Sequence, residues 1–186
     1  MTDIYRKSAK EALIDAAFAV LRQNPSAPLS HIADAAGVGR ATLHRYFSSR
    51  ESLISALSHI AIKEMDEAVE DACADAPSYG EAMRLTLEVL IPMGDRHGFL
   101  ALETLEHDPE LEAQLARQDR ETAEMVEAAK QEGLFAPDVP TPWIVQAFEH
   151  LLYAAWESVK AGDATPKQAS ALAWRTLTTG LKGDQT

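Results

Sequence analysis

Residues 40–46 concentrate side chains that form strong hydrogen bonds with nucleic acid. The segment reads Arg-Ala-Thr-Leu-His-Arg-Tyr and contains no aspartate or glutamate. Guanidinium groups donate paired hydrogen bonds to guanine edges and to phosphates, and hydroxyl groups bond to several bases. On a helix, Leu43 would face inward, together with Phe47 just after the segment. The exposed side or rim would then hold Arg40, Ala41, Thr42, His44, Arg45 and Tyr46.

This surface favours a helix that enters the major groove of DNA, and the residues ahead of it predict how that helix is held. Ser30 is a suitable N-cap for a short helix over residues 30–36, in which Ile32 and Ala33 face the core. Gly37 can adopt the positive φ that a tight turn between two helices requires. Two short helices joined in this way are typical of a helix-turn-helix. The alternative is a small helical hairpin whose basic face has no function.

Net charge is distributed unevenly along the chain. The 186 residues carry a net charge of −12, with 17 Lys and Arg against 29 Asp and Glu. Residues 1–65 hold eight basic and six acidic side chains, a net charge of +2, which leaves −14 for residues 66–186. Only the first part can therefore approach a phosphate backbone without strong repulsion.

The whole chain predicts an all-α fold. Strand-like alternation is absent, and Ala, Leu, Glu, Arg and Gln dominate. We expect Ser49 to cap the fourth helix, and a proline directly after Asp108, Thr141 and Thr165 to begin three later helices. Apolar spacing and these signals predict about nine helices: 7–23, 30–36, 40–47, 50–75, 79–93, a short one after 98, 109–132, 142–161 and 166–181.

Residues 37–53 resemble the signature of the tetracycline-repressor (TetR) family. They read Gly-Val-Gly-Arg-Ala-Thr-Leu-His-Arg-Tyr-Phe-Ser-Ser-Arg-Glu-Ser-Leu, and the first helix, Ile32-Ala33 and Ala36 match as well. The resemblance covers about residues 10–57, and the rest matches only in helical character and length. It implies a three-helix DNA-binding head, a linking fourth helix and a helical-bundle body that senses a ligand and dimerises through its last two helices. We therefore expect domains at residues 1–50 and 51–186.

The resemblance also implies a role for individual residues on the third helix. Arg40, Thr42 and Arg45 would face bases and nearby phosphates. His44 and Tyr46 would bind backbone phosphates. The function implied is that of a repressor that binds a pseudo-palindromic double-stranded DNA operator as a dimer and releases it when a small molecule binds.

Two further residues would hold the phosphates that flank this contact, and two positions depart from the family pattern. By their positions, Ser30 and Arg50 would bind the flanking phosphates. His44 stands where the family most often has Tyr, so that contact would be shorter and sensitive to pH. Gly39 stands where Ser or Thr usually begins the helix, a change that costs at most a few tenths of a kcal/mol as an N-cap.

The helix over residues 142–161 predicts a dimer interface because its apolar side chains spread over more than half of the circumference. One side would cover the protomer core and the other a second subunit. Together with the last helix it would form a four-helix bundle across a two-fold axis. The expected interface residues are Trp143, Leu151, Ala155 and Leu177. The alternative is a monomer in which other helices cover both sides.

A cavity for a small apolar effector is harder to place. The candidate lining residues are Met83, Leu87, Leu90, Phe99, Leu102, Met125 and Phe148. Methionine and aromatic residues at helical spacing are equally typical of plain core. Glu88, Glu103 and Glu106 could attract a cationic effector if they point inward, and otherwise they are solvated surface residues.

Other chemistry has little support in the sequence. The motifs HExxH, GxSxG, GxGxxG and the P-loop are absent, and no Glu stands three residues before a His, so we expect no catalytic residue, metal or cofactor. Four possible metal ligands lie near one another in sequence: His97, Glu103, His107 and Asp108. We expect them to be ordinary surface residues and not a metal site. Cys73, beside the apolar stripe of the fourth helix, favours a buried inert thiol over a redox sensor.

Two other function classes stay open, a helical enzyme and a protein-interaction module. Turnover without DNA binding would favour the enzyme, and the acid-free surface of residues 40–46 argues against the interaction module. The N-terminus lacks the apolar stretch of a signal peptide, and no apolar run reaches the roughly 18 residues of a membrane span. With a single cysteine as well, the chain is expected to be cytoplasmic and to bind no membrane.

Overall fold

The structure is a computed structural model that describes residues 8–102 and 108–180, and of residues 101 and 102 the backbone alone. Its helices are α1 (Ala9–Gln23), α2 (Leu29–Ala35), α3 (Arg40–Tyr46), α4 (Arg50–Cys73), α5 (Tyr79–His97), a 3-10 helix (Gly98–Leu102), α6 (Pro109–Gln131), α7 (Thr141–Ala161) and α8 (Pro166–Gly180). No strand occurs in the described residues, so the predicted all-α fold is confirmed. None of the described helices is long and apolar enough to cross a membrane.

Side-chain caps begin several helices. Ser8 and Glu11 form a reciprocal capping box at the start of α1. The hydroxyl of Ser49 accepts a hydrogen bond from the backbone N–H of Ser52 at 3.2 Å, which confirms Ser49 as the cap of α4. Thr165 caps α8 by accepting from the N–H of Gln168 at 3.3 Å.

Two predicted caps are wrong. Helix α2 begins at Leu29 with Pro28 as its N-cap, so Ser30 lies inside the first turn. Helix α7 begins at Thr141 with Pro140 as its N-cap. Both prolines hold an extended backbone, with φ −71° and ψ 153° at Pro28, which is the conformation an N-cap needs even without a side-chain acceptor.

The chain forms two compact units. Unit 1 comprises Met1–Ala61 and Arg96–Asp108, and unit 2 comprises Ile62–Asp95 and Pro109–Thr186. Helices α4 and α5 each begin in one unit and end in the other. These are units of packing, and the expected functional boundary between residues 50 and 51 stays a prediction.

The core of unit 1 surrounds the apolar stripe of α1. Leu13, Ala17, Phe18 and Leu21 are buried, as their helical spacing predicts. They pack with buried residues from the rest of the unit: Ala27, Ile32, Ala33, Leu43, Phe47, Leu53, Ile54, Leu57 and Phe99. Gly37 has φ +67°, the left-handed conformation expected at the turn between α2 and α3.

The core of unit 2 lies among α5, α6, α7 and α8. Helix α5 ends at His97, beyond its expected end at residue 93, and contains Pro92, which removes one backbone hydrogen bond. Two residues later the indole of Trp156 packs against Gly94, where an added Cβ would lie 2.1 Å from the ring. The indole Nε1 donates to the carbonyl oxygen of Leu90 at 3.0 Å. Gly94 is therefore required for α5 and α7 to approach each other here.

Candidate nucleic-acid interface

Helix α3 points its apolar side chains inward and its polar ones outward. Leu43 is buried in the unit 1 core, and Phe47, the C-cap residue of the helix, is buried there as well. Thr42 is half-buried at the rim. The exposed side holds Arg40, Ala41, His44, Arg45 and Tyr46. The structure therefore brings together, on one surface without an acid, all six residues that the sequence places on this helix.

Arg45 and Tyr46 contact each other on this surface. The guanidinium carbon of Arg45 lies 5.0 Å from the centroid of the Tyr46 ring. A cation above an aromatic ring is attracted to its negative face, a contact worth about 0.5–1 kcal/mol at an exposed site. The ring thus limits the conformations of the Arg45 side chain and leaves its outward N–H groups available to acceptors.

A cavity of about 200 Å³ lies between α2 and α3. It is lined by Leu29, Ser30, Ala33, Arg40, Leu43 and His44. Ser30 is half-buried and lies on the same side as the polar residues of α3, although it caps no helix. Ser30 thus lies near Arg40 and His44, and its expected contact with DNA stays a prediction.

Arg50 has a different environment from the one expected. Its guanidinium donates to the carbonyl oxygen of Ala27 at 3.1 Å and to that of Pro25. These carbonyls belong to the loop between α1 and α2, in which Pro25 and Pro28 supply no N–H donors. Arg50 therefore stabilises this loop, and its inward N–H groups are occupied before any phosphate approaches.

The first turn of α4 also carries a negative charge. A hydrogen bond from Ser49, followed by a backbone hydrogen bond and the charge of Arg50, holds the pKa of Glu51 below its ordinary value. Glu51 is therefore ionised at neutral pH. The start of α4 is electrically balanced by Arg50 and Glu51, whereas α3 remains free of acidic side chains.

The proposed effector residues are distributed over both units. Met83, Leu87 and Phe148 are buried in the core of unit 2, and the half-buried Met125 packs against it. Leu90 is half-buried on α5. The packing of the first four agrees with a cavity lining and equally with plain core.

Phe99 does not join this group. It packs in unit 1 against Phe18, with 6.1 Å between ring centroids, because the chain re-enters unit 1 at Arg96. The side chain of Leu102 lies outside the described residues, as do Glu103 and Glu106.

The remaining acidic and metal-ligating candidates also have other surroundings. Glu88 is exposed and forms an ion pair with Arg84, which supports its interpretation as a surface residue. The carboxylate of Asp108 accepts from Ser55 at 2.5 Å and lies 2.9 Å from Nε2 of His59. No group of three potential metal ligands occurs in the described residues, and Glu103 and His107 fall outside them.

The expected dimer-interface residues do not share one environment. Trp143 is 64% exposed and Leu151 is half-buried. Ala155 and Leu177 are buried in the core of their own protomer, so the expectation that they face a partner is wrong. The wide apolar surface of α7 is mostly covered by α8 and α6, which sequence periodicity alone could not distinguish from a second subunit.

Two further large side chains are exposed on the same helix pair. Tyr153 on α7 is 45% exposed and Leu172 on α8 is 46% exposed. The sequence places Tyr153 with the polar side of its helix and Leu172 among the apolar residues of the last helix. On α8, Leu172 lies to the side of the buried stripe formed by Ala169, Ala173 and Leu177.

Comparison with known proteins places this helix-turn-helix in a family. The family model for bacterial regulatory proteins of the tetR family matches residues 13–57. The HTH-type transcriptional repressor LfrR of Mycolicibacterium smegmatis is 32% identical over 177 residues, covering 95% of this chain and 92% of the relative. An uncharacterized HTH-type transcriptional regulator of Mycobacterium tuberculosis is 28% identical over 152 residues, 77% of this chain and 74% of the relative.

Solved structures agree with these matches. The crystal structure of LfrR in complex with proflavine has a TM-score of 0.78 and 31% sequence identity, and covers 94% of this chain and 97% of LfrR. AibR in complex with isovaleryl coenzyme A and operator DNA has a TM-score of 0.77 at 17% identity, covering 92% of this chain and 98% of AibR, so it supports the fold alone. The chain belongs to the TetR family of bacterial transcriptional regulators.

Proposed function

We propose that this regulator is a repressor that binds a pseudo-palindromic operator as a homodimer and releases it when a small aromatic molecule binds to unit 2. The observation that carries the proposal is the surface of α3. Five of its seven residues are exposed, including two arginines and a histidine, with no acid among them, in a chain of net charge −12. Such a surface is suited to a groove lined by phosphates.

The residues of this surface have different roles in DNA recognition. Arg40 and Arg45 carry the planar donor groups that bond to guanine edges, and Thr42 adds a hydroxyl and a methyl group at the rim. His44 and Tyr46 are placed beside them to bind phosphates and to fix the position of the helix in the groove. Ser30 extends this contact from α2, while Arg50 contributes through the loop that it stabilises.

A dimer is needed to read two half-sites. Trp143, Tyr153 and Leu172 present exposed apolar side chains on α7 and α8, and large exposed apolar residues on adjacent helices support a protein interface. With two-fold symmetry the same surface serves both subunits. The two copies of α3 would then enter major grooves roughly one helical turn apart, about 34–36 Å.

The effector is proposed to be a planar aromatic cation. The relative LfrR is known in complex with proflavine, a planar aromatic amine that is cationic at neutral pH. Residues 66–186, most of which belong to unit 2, carry a net charge of −14, which raises the local concentration of cations around them. An effector can shift the DNA equilibrium only through its different affinity for the DNA-bound and free states.

Fluorescence anisotropy with labelled duplexes tests DNA binding directly. A duplex selected for binding should bind tightly at low salt, and log Kd should rise linearly with log salt concentration because phosphate contacts release counterions. A scrambled duplex of the same composition is the control. Equal affinity for the two duplexes at moderate salt would remove the basis for an operator-binding function.

A further inference from the structure

Arginine side chains are held in two different ways in this protein. Arg84 donates its N–H groups to two glutamates of its own helix, and Arg50 donates to two backbone carbonyls. Arg45 is held by a ring instead, and within the described residues it forms no ion pair or hydrogen bond. An aromatic face attracts the guanidinium without occupying its N–H donors as an oxygen acceptor does. Arg45 is therefore restrained while its donors stay available.

The contact between Arg45 and Tyr46 joins neighbours in the sequence. Adjacent residues on a helix point about 100° apart, so only long side chains can meet in this way. Both residues are exposed in the last turn of α3. Tyr46 is 39% exposed, so more than half of the residue is covered by the protein. Since a tyrosine also has only two side-chain torsions, its ring is the more rigid member of the pair and supports the guanidinium.

Arg40, at the other end of α3, has no such support. It borders the cavity between α2 and α3, and its guanidinium stacks on no aromatic ring in the part of the chain that the structure describes. Arg40 and Arg45 carry the same donor groups on the same exposed surface. They differ in how far each side chain is ordered before DNA binds.

We propose that the ring of Tyr46 positions Arg45 for base recognition and thereby contributes to the sequence specificity of this regulator. The inference rests on the proposed function, in which Arg45 bonds to guanine edges. A paired hydrogen bond requires an ordered side chain, and the cost of ordering arises only with the base that Arg45 recognises. A ring that orders the guanidinium in advance therefore raises affinity for that base alone. The hydroxyl of Tyr46 would bind phosphate and act on all sequences alike.

Single-base variants of a selected duplex test this role with the full-length protein and fluorescence anisotropy. Arg45→Ala and Arg40→Ala first identify the base position that each arginine reads, because discrimination is lost there. At the Arg45 position, Tyr46→Leu should lower the ratio of Kd values for the wrong and the right base by about two- to fivefold, the worth of an exposed cation–π contact. Tyr46→Phe retains the ring and should keep the wild-type ratio. At the Arg40 position both Tyr46 variants should keep it.

A matched control and a measurement without DNA complete the test. Tyr79→Leu makes the same change at an exposed tyrosine in the first turn of α5 and should leave both ratios unchanged. In the free protein, the NMR order parameter of the Nε–H group should be higher for Arg45 than for Arg40. Tyr46→Leu should lower the value for Arg45 and leave that for Arg40 unchanged.

Several results would overturn the positioning role. One is a Tyr46→Leu variant that is folded by circular dichroism and keeps the wild-type ratio at the Arg45 position. Another is an equal fall at both arginine positions, which would indicate a general disturbance of the surface. Equal order parameters for Arg45 and Arg40 in the wild type would contradict it without any variant.

Failure of this inference is distinguishable from failure of the proposed function. A wild type without sequence preference would remove both. Specific binding by the wild type, with equal ratios in Tyr46→Leu and Tyr46→Phe, would remove the positioning role alone.

Discussion

The guanidinium carbon of Arg96 lies 4.0 Å from the centroid of the Phe18 ring. The ring of His97 meets the same phenylalanine edge to face at 5.3 Å, and Phe99 does so at 6.1 Å. The end of α5 and the 3-10 helix thus surround one side chain of α1. These contacts lie within unit 1, whose core also includes Leu43 of α3.

We expect Phe18→Ala to destabilise the protein by about 3–5 kcal/mol, because it removes a buried ring and leaves a cavity that the helices cannot fill. Urea unfolding followed by circular dichroism measures this loss. Leu100→Ala, a partly buried neighbour of the same cluster, is the milder control. Equal unfolding midpoints for wild type and Phe18→Ala would contradict the packing described.

Arg50→Gln separates a structural role from a DNA contact. Loss of the hydrogen bonds to Pro25 and Ala27 should lower stability by about 1–3 kcal/mol, because carbonyl oxygens in a loop lose a charged donor. The slope of log Kd for DNA against log salt concentration should stay unchanged, whereas loss of a phosphate contact would reduce it by about one. A reduced slope with unchanged stability would show that Arg50 binds phosphate instead.

Substitutions on α8 distinguish the proposed interface from the core. Leu172→Glu places a charge on an exposed side chain and should yield a folded monomer, because the charge would be unpaired in the dimer. Leu177, 1% exposed, lies in the protomer core, so Leu177→Glu should destabilise the fold itself. Light scattering and thermal unfolding read out the two effects. If the Leu172→Glu variant remained a dimer, the interface would have to lie on another surface.

The stability of the protein should depend on the protonation of Glu149, because burial, and then the charge of Asp119, raise its pKa above the ordinary value of 4.5. Because burial raises the folded-state pKa, the neutral carboxyl is favoured, and stability present below 4.5 is lost as the pH rises through that pKa.

Glu149→Gln should therefore be more stable than the wild type at neutral pH. Thermal unfolding, compared across pH for the two proteins, checks this effect. A wild type that is as stable as Glu149→Gln at neutral pH would show that the carboxylate is compensated within the protein.

Local periodicity predicted much of the head. The stripe of α1, the positive φ of Gly37 and the buried Leu43 follow from spacing within a few residues, and the structure confirms them. The exposed residues of α3 follow from the same periodicity, because a helix that buries Leu43 must turn its other side outward.

Non-local packing explains most of what the sequence did not predict. Phe99 joins the core of unit 1 only because the chain returns there after α5. Leu177 is covered by its own protomer, and Arg50 reaches carbonyls more than twenty residues away. Each of these depends on which helices become neighbours, and a single sequence without homologues does not specify this.

Selection of bound duplexes from a random DNA pool is the most direct test of the central claim, that α3 reads a sequence. The wild type should enrich a pseudo-palindrome with two half-sites about one helical turn apart. Arg45→Ala should lose discrimination at one base position of each half-site, worth about 1–3 kcal/mol, whereas Tyr46→Phe should weaken all sequences alike. Arg84→Ala, whose partners are Glu81 and Glu88 of unit 2, is the control and should enrich the wild-type motif. Failure of the folded wild type to enrich any motif, or an identical motif from Arg45→Ala at equal affinity, would contradict the assignment of sequence recognition to α3.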